Sequence, residues 1–591
     1  MFDPPLDYRI SKVQKLGQAI RTLVKPGMAL HFAYNQARAM AISNELVRAF
    51  AGTNPAFTII SAGLVSNQAA MFSQGLIKKL IASFVGENYP TPSPNKIMQH
   101  AIDTGAVEIE NQSLLVIAQR LAAGAFGLPF ALTRSIAGSS LAKNASFALI
   151  RDPFGDGGEI GAVSALVPDV TFIHGLAADP QGNILVSPPF GEGDVAAFAA
   201  SRGVIATVER LVSPEIIRRF AHLAKVPSHR VLSVSVAPLG CHPYGIYSPP
   251  GSGVAGYVED YDFFMELRKC SRSAEDFARW TEKWILKVDD QDQYIDNLGR
   301  DRVLKLRGGA TEAAWEMDLQ GETIARLSQR DDHDEVDDMV VAAAGLIESK
   351  ARADGYGVIA AGVGYANLAA WLAVSRMQLD GIPVELVAEI GLYGFFPRPG
   401  EPFIFSNRNI STCKALTTVE TVLGLHVSGR HNRCLAIIGA AQIDVCGNIN
   451  STYAASGKFL VGSGGANDIA SAAAEIIAIT QQSKNRLVNE LPYITSCGHN
   501  VSTLITDLGV YKKHDGRFVL TGYFAHQGES ESEAVARIKS TCDWEIELSD
   551  DLKCEAAPAR DDLLRIRLYD QRNEFLAAGA PAGKGMNNDQ Q

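Results

Sequence analysis

An internal duplication constrains this chain more than any other feature. KPGMALHFAYNQARAMA, with Gly27, parallels GYGVIAAGVGYANLAAWLA around Gly357. NPAFTIISAGL parallels IPVELVAEIGL, with Pro55 matching Pro383, and ADPQGNILVS parallels QIDVCGNINS, with Asp179 matching Asp444. The order is kept while the spacing shrinks, so the first copy holds about 60 extra residues between its second and third landmarks, an insertion that surface excursions absorb. At 591 residues the chain is too long for one hydrophobic core, and two related halves are the economical reading.

Within each half, apolar runs of strand length alternate with helical periods. FTIIS, VTFIHGL, HRVLSVSVAPL, VELVAEIG and CLAIIGAAQI read as buried strands bounded by Gly or Pro. NELVRAFA, SPEIIRRFAHLA and NDIASAAAEIIAIT read as helices, the last capped by Asn467 or Asp468. This alternation predicts an α/β fold: two open-sheet domains in tandem pseudo-repeat, each a largely parallel sheet covered by helices. The expected division is residues 1–320, residues 335–575 and a disordered tail over 576–591. The acidic stretch at 322–339 is read as linker and helix start.

Charge and cysteine content exclude several classes. Lys+Arg 54 against Asp+Glu 65 leaves a net charge of −11, so bulk charge does not hold the chain to nucleic acid or an anionic membrane. The uncharged run from Gly355 to Ser375 is Gly/Ala-rich and contains Asn367, which suits a strand, a glycine turn and a helix start better than a membrane span. The first twenty residues lack a signal-peptide pattern. The eight cysteines are scattered, with no CxxC pair and no His/Cys cluster, so reduced thiols in a cytoplasm are expected and a structural metal is not. A homo-oligomer, dimer or higher, is expected.

Glu389 is the first candidate for chemistry. It lies at the carboxyl end of an apolar strand in VELVAEIGLYG, where open α/β sheets bind ligands, and its counterpart in the first half is Ser61. Read alone, such a glutamate is more often a structural ion-pair partner, but two glycine motifs alter the balance. AGVGYAN (Gly362, Val363, Gly364) and VGSGGAND (Gly462, Gly464, Gly465, then Ala466) are each read as following a strand and opening a helix. Free N–H groups and a helix dipole converge there, as an oxyanion hole or phosphate cradle requires. The first half has Phe32 and Tyr34 opposite Gly362 and Gly364, so the turn itself does not demand glycine. A dinucleotide fingerprint fits worse, because the third glycine and the following acid are missing.

Other features weigh less. The Asp–Gly–Asn turns at Asp179 and Asp444 read as structural. Cys446 reads as a buried structural thiol. Arg430, His431 and Arg433 form a basic cluster equally suited to a ligand phosphate or a solvated loop. No GxSxG elbow, Walker loop or HExxH occurs.

These residues resemble the class I CoA-transferases, in particular the glutaconate CoA-transferase branch with α-like and β-like subunits fused head to tail. In the first half the resemblance rests on KKLIASFVGENYP, GAVEIENQSLLVIAQRLAAGAFGLPF, LTRSIAGSSL, APLGCHPYG and YVEDYDFF. In the second it rests on AEIG, GAAQIDVCGNINST, GSGGANDIAS and LLRIRLYDQRNEFL. It implies two domains of the CoA-transferase type with the active site between them, coenzyme A as a substrate and no permanently bound cofactor. It also implies acyl-CoA and carboxylate partners, with Glu389 in the position of the family's nucleophile. The oxyanion and CoA-binding groups would be Gly362, Val363, Gly364, Gly464, Gly465 and Ala466. The first half would give the acyl-binding wall, with Ser61, Asn88 and Arg134. Here Glu389 is followed by Ile390 and Gly391 where the family often has Ser or Asn before the glycine. Glu108 and Glu110, where some relatives use an acid, read as structural. Some relatives are CoA-thioester hydrolases, including ring-opening ones, so hydrolysis is the alternative reading, with a non-catalytic ligand-binding protein behind it.

Overall fold

A computed structural model describes residues 11–579 apart from Asp156 and Asp331. Strands β1 (Ala29–Phe32), β2 (Phe57–Val65), β3 (Ile77–Gly86), β4 (Glu108–Asn111), β5 (Val170–Ala178), β6 (Gly203–Leu211) and β7 (Val231–Val236) form one sheet, in the order β7-β6-β5-β1-β2-β3-β4. The second half supplies β8 (Val358–Ala361), β9 (Glu385–Ala388), β10 (Leu392–Tyr393), β11 (Ala415–Leu416), β12 (Cys434–Gly439), β13 (Glu475–Ile479) and β14 (Val501–Ile505). It continues into β15 (Gly509–His514), β16 (Arg517–Tyr523) and β17 (Glu547–Cys554). Their order is β11-β10-β9-β8-β12-β13-β14-β15-β16-β17.

The pseudo-repeat is visible in this topology. The five-strand run β7-β6-β5-β1-β2 of the first half has the same order and the same parallel sense as β14-β13-β12-β8-β9 of the second. The matched turns agree in atomic detail. Asp179 Oδ1 accepts from Gly182 N and Asn183 N while Asn183 Nδ2 donates to Oδ2. Asp444 Oδ1 accepts from Cys446 N and Asn448 N while Asn448 Nδ2 donates to Oδ2. Both are Asx turns, as their composition predicts. The extra length of the first copy includes a small antiparallel sheet of Phe130–Thr133, Glu159–Ser164 and Phe147–Arg151.

Buried parallel strands read as continuous apolar runs because both faces are covered; every residue of β5 is buried, as are all of β12 but Gly439. The Gly355–Ser375 run resolves into β8, a glycine turn and the start of helix α1 (Tyr365–Leu379). Helix α1 is apolar nearly all round because it lies between the sheet and helix Glu335–Asp354. Among the described residues no helix is long and apolar enough to cross a membrane.

Several expectations are corrected. NDIASAAAEIIAIT is a short helix, α2 (Ala466–Ala472), followed by strand β13, since EIIAI completes the sheet and its β-branched residues pack there. Gly465, not Asn467 or Asp468, occupies the N-cap of α2, because both polar side chains are engaged by the first half. In the stretch 322–339 the first part is the rest of helix Gly321–Ser328 rather than linker, while a helix does start in it as expected: Glu335–Asp354, whose N-cap Asp334 accepts from Val336 N and Asp337 N. Leu576–Gly579 is a 3-10 turn with Phe575 and Leu576 buried, so the expected tail begins in packed structure; residues 580–591 lie outside those described. Cys446 is exposed in its turn rather than buried.

Candidate active site

Glu389 sits at the tip of a hairpin. Strands β9 and β10 pair antiparallel with Ala388 opposite Leu392, which leaves Glu389, Ile390 and Gly391 as the turn. Gly391 has φ +121, and a Cβ there would overlap Thr417 O, so only glycine closes this turn. The turn is clamped from the first half, where Gly191 N donates to Ile390 O at 3.2 Å.

The two glycine loops meet the carboxylate. Gly364 (φ +106) is the N-cap of α1, and its N–H donates to Asn367 Oδ1 at 2.8 Å. Gly362 N–H donates to Ile437 O at 2.9 Å. Among the described residues this leaves the Val363 N–H, between them, with no acceptor. In the second loop Gly464 N–H is committed to Ser83 O at 3.0 Å, whereas Gly465 lies directly against the Glu389 carboxylate, with its amide favouring the ionised carboxylate. Ala466 N–H is likewise committed, to Ser463 O at 3.1 Å, so the oxyanion donors expected at Gly464, Gly465 and Ala466 reduce to Gly465. A Cβ at Gly465 would collide with Glu389 Oε2.

Burial pushes the Glu389 carboxyl up to about 7, with Asp468 adding to the rise and the Gly465 N–H and Arg38 opposing it. Burial, with Glu389 and Glu192, also raises the Tyr34 phenol, despite the opposing pull of Arg38, so it stays neutral. Arg38 is 6% exposed and its guanidinium lies 4.0 Å from the Tyr34 ring and 4.5 Å from that of Tyr244. Asp468 is fully buried, and burial lifts it to about 6 against the donors that hold it.

A cavity of about 790 Å³ lies over these groups, within the usual range for a small-molecule site. Its lining brings together Glu389, Gly362, Val363, Gly364, Gly464, Gly465 and Ala466 from the second half with Tyr34, Ala62, Ser83, Phe84, Asn88 and Leu114 from the first. The halves are stitched beside it. Val85 N donates to Val461 O at 2.8 Å, Leu114 N to Gly464 O at 3.1 Å, Ser113 Oγ to Asp468 Oδ1 at 2.6 Å and Leu115 N to Asp468 Oδ2 at 2.9 Å.

Of the expected first-half residues, Asn88 lines the cavity: its Oδ1 accepts from Tyr244 OH at 3.0 Å and its Nδ2 is buried without an acceptor. Ser61 and Arg134 do not line it. Ser61 is a buried strand residue whose hydroxyl bonds Phe32 O and Gly63 O; its neighbour Ala62 faces the cavity instead. Arg134 is exposed. Its loop touches the second half through the next residues, with Ile136 N donating to Asn467 Oδ1 at 2.8 Å. Arg430, His431 and Arg433 form an exposed loop off the cavity, where Arg433 stacks on Tyr356. Glu110 is structural, pairing with Arg120 at 2.8 Å. The sequence reading missed Arg38 and the seam role of Asp468. Arg38 carried no local signal, and Asp468 was visible in GGAND but fitted a helix cap equally well.

A carboxylate against a backbone amide at a sheet end, beside an uncommitted N–H and under a cavity walled by both halves, has the groups that acyl-transfer chemistry uses. The coenzyme A transferase family model matches residues 13–237 and 426–513, and the chain belongs to that family; it is a CoA-transferase, an enzyme that moves CoA between an acyl-CoA and a carboxylic acid. It is 28% identical to one of the two chains of the glutaconate CoA-transferase of Acidaminococcus fermentans over 259 residues, 40% of this chain and 76% of that one. It is 32% identical to one chain of the 3-oxoadipate CoA-transferase of Pseudomonas knackmussii over 229 residues, 38% of this chain and 76% of the relative. An acyl-CoA transferase of E. coli O157:H7, solved as a thioester complex with CoA, shares the fold at TM-score 0.63 and 15% identity, over 96% of this chain and 98% of that one.

Proposed function

We propose that Glu389 is the nucleophile and that transfer proceeds in ping-pong fashion through a glutamyl-CoA thioester. A Glu389 oxygen attacks the carbonyl carbon of the bound acyl-CoA, and the oxyanion is received by the uncommitted Val363 amide, while the Gly465 amide, against the glutamyl carboxylate, receives the oxyanion formed when the glutamyl carbon is attacked in turn. The C–S bond then breaks, giving an acyl-glutamyl anhydride and CoA thiolate. The thiolate attacks the glutamyl carbonyl, the free acid departs and CoA remains on Glu389 as a thioester. An acceptor carboxylate runs the same steps in reverse. Each oxyanion donor contributes a few kcal/mol, about 3 by analogy with other acyl-transfer sites. Asn88 Nδ2, a buried donor lacking an acceptor, is assigned to the acyl group. Covering the site with both halves keeps water from the anhydride.

The observation that carries this reading is the contact of Glu389 with the Gly465 amide at the cavity floor. The chain is read as two fused subunit-like domains, 1–320 and 335–575, and its eight free cysteines support a reducing cytoplasm. Incubation with acyl-CoA followed by borohydride should reduce the glutamyl thioester and shift the mass of the peptide containing Glu389. A modified peptide elsewhere, or transfer by Glu389→Ala at near-normal rate, would refute the assignment.

A further inference from the structure

Charge is distributed unevenly around the cavity, and this bears on the acyl group, given Glu389 as the nucleophile. The wall contributed by the first half has no charged side chain among the described residues: Tyr34, Ala62, Ser83, Phe84, Asn88 and Leu114 are its main members. Ile404 and Phe405 extend this apolar surface from the second half. The groups behind the nucleophile are mostly acidic, with Asp468 and Glu192 both buried.

Two cations come near. Arg38 is screened from the cavity by the Tyr34 ring against which it packs, and it does not line the space. Arg486 does line it, but at the other, polar end, with Gln442, Gln481 and Asn485. Its guanidinium donates to Ala440 O at 3.4 Å and Thr480 Oγ1 at 3.2 Å. That places it beyond the end of β12, two strand spacings from β9, about 10 Å across the sheet.

We infer that the acyl group handled by this enzyme is uncharged and largely apolar, unlike the diacids in the names of its relatives. A second carboxylate seated against the first-half wall would be desolvated with no cation to pair it, beside an acidic nucleophile, and such a group costs several kcal/mol. An apolar chain gains on the same surface from Phe84, Leu114, Ile404 and Phe405.

The test pairs acyl-CoAs of equal length: hexanoyl- with adipoyl-CoA, and pentanoyl- with glutaryl-CoA. Each is given its own isotope-labelled free acid, and label entering the thioester is followed by mass spectrometry. The same thioesters are titrated calorimetrically into Glu389→Gln, which binds without turnover. The monocarboxylate pairs should exchange about a hundredfold faster at low concentration, and hexanoyl-CoA should bind more tightly than adipoyl-CoA by about tenfold. Phe84→Lys should narrow both gaps. Exchange or binding of adipoyl-CoA equal to that of hexanoyl-CoA overturns the inference, as does a diacid preference that disappears in Arg486→Gln. If no pair exchanges but the binding order holds, the nucleophile assignment fails and the acyl inference stands. If binding does not discriminate, the acyl inference fails whatever the turnover.

Discussion

Gly465 and Glu389 are in such close contact that a Cβ on the first would overlap Oε2 of the second. The backbone at Gly465 is in the ordinary helical region (φ −86, ψ −1), so conformation does not require glycine there. The requirement comes from the carboxylate.

Gly465→Ala should therefore leave the fold intact and displace Glu389 from its amide. We expect kcat to fall at least about a hundredfold, the loss typical of one oxyanion donor, with the melting temperature nearly unchanged. Activity and thermal unfolding measured together test this, and a fully active variant would remove the contact from the mechanism.

The raised carboxyl of Glu389 sets a pH dependence. Only the ionised form attacks, so kcat/KM should rise with pH and level off above about 7. The stability linkage has the opposite sense. A carboxyl whose folded pKa lies above its unfolded value of 4.5 favours the fold at low pH, and that advantage is lost as pH rises toward about 7. Glu389→Gln should thus be more stabilising at pH 8 than at pH 5; thermal melts at the two values check the sign.

Removing the Arg38 charge should push that profile further alkaline, since Arg38 favours the ionised nucleophile. Arg38→Gln should move the midpoint of the rate profile upward, while Asp468→Asn, which removes a repelling charge, should move it down. Shifts in the same direction would contradict the electrostatic account.

Asp468→Ala should be among the most destabilising single changes at the seam. It strips acceptors from Ser113 Oγ and Leu115 N in a buried place, at a cost of about 1–3 kcal/mol for each group left unpaired. Urea denaturation should show it. Asp468→Asn, which keeps an acceptor, should lose less.

Glu389 and the first glycine loop were legible because they follow neighbouring parallel strands, β9 and β8, whose carboxyl ends emerge at one end of the sheet. The second loop follows no strand of that sheet but a segment bridged to Phe84 of the first half, so no strand-to-helix pattern wrote its place beside them. The duplicated landmarks were legible for a related reason: an Asx turn writes its Asp, Gly and Asn within five residues. Arg38 was not legible, because its role depends on Tyr244, 206 positions away, and on a packing angle that no spacing encodes. Arg134 was misread because its loop engages the second half through the Ile136 backbone, which is indifferent to side-chain identity. AAAEIIAIT was misread as helix since alanine favours helix until Ile476 and Ile477 are needed between two other strands.

The hydrogen bonds from Val85, Leu114, Ser113 and Leu115 into the second half join two parts of a single polypeptide. Within one chain such a seam closes at an effective concentration in the millimolar range, however dilute the protein becomes. An enzyme whose two walls travel on separate chains must instead find its partner again after every dissociation, and its specific activity falls on dilution. Here the catalytic pocket should keep its full competence at the lowest concentrations at which the chain itself can be assayed.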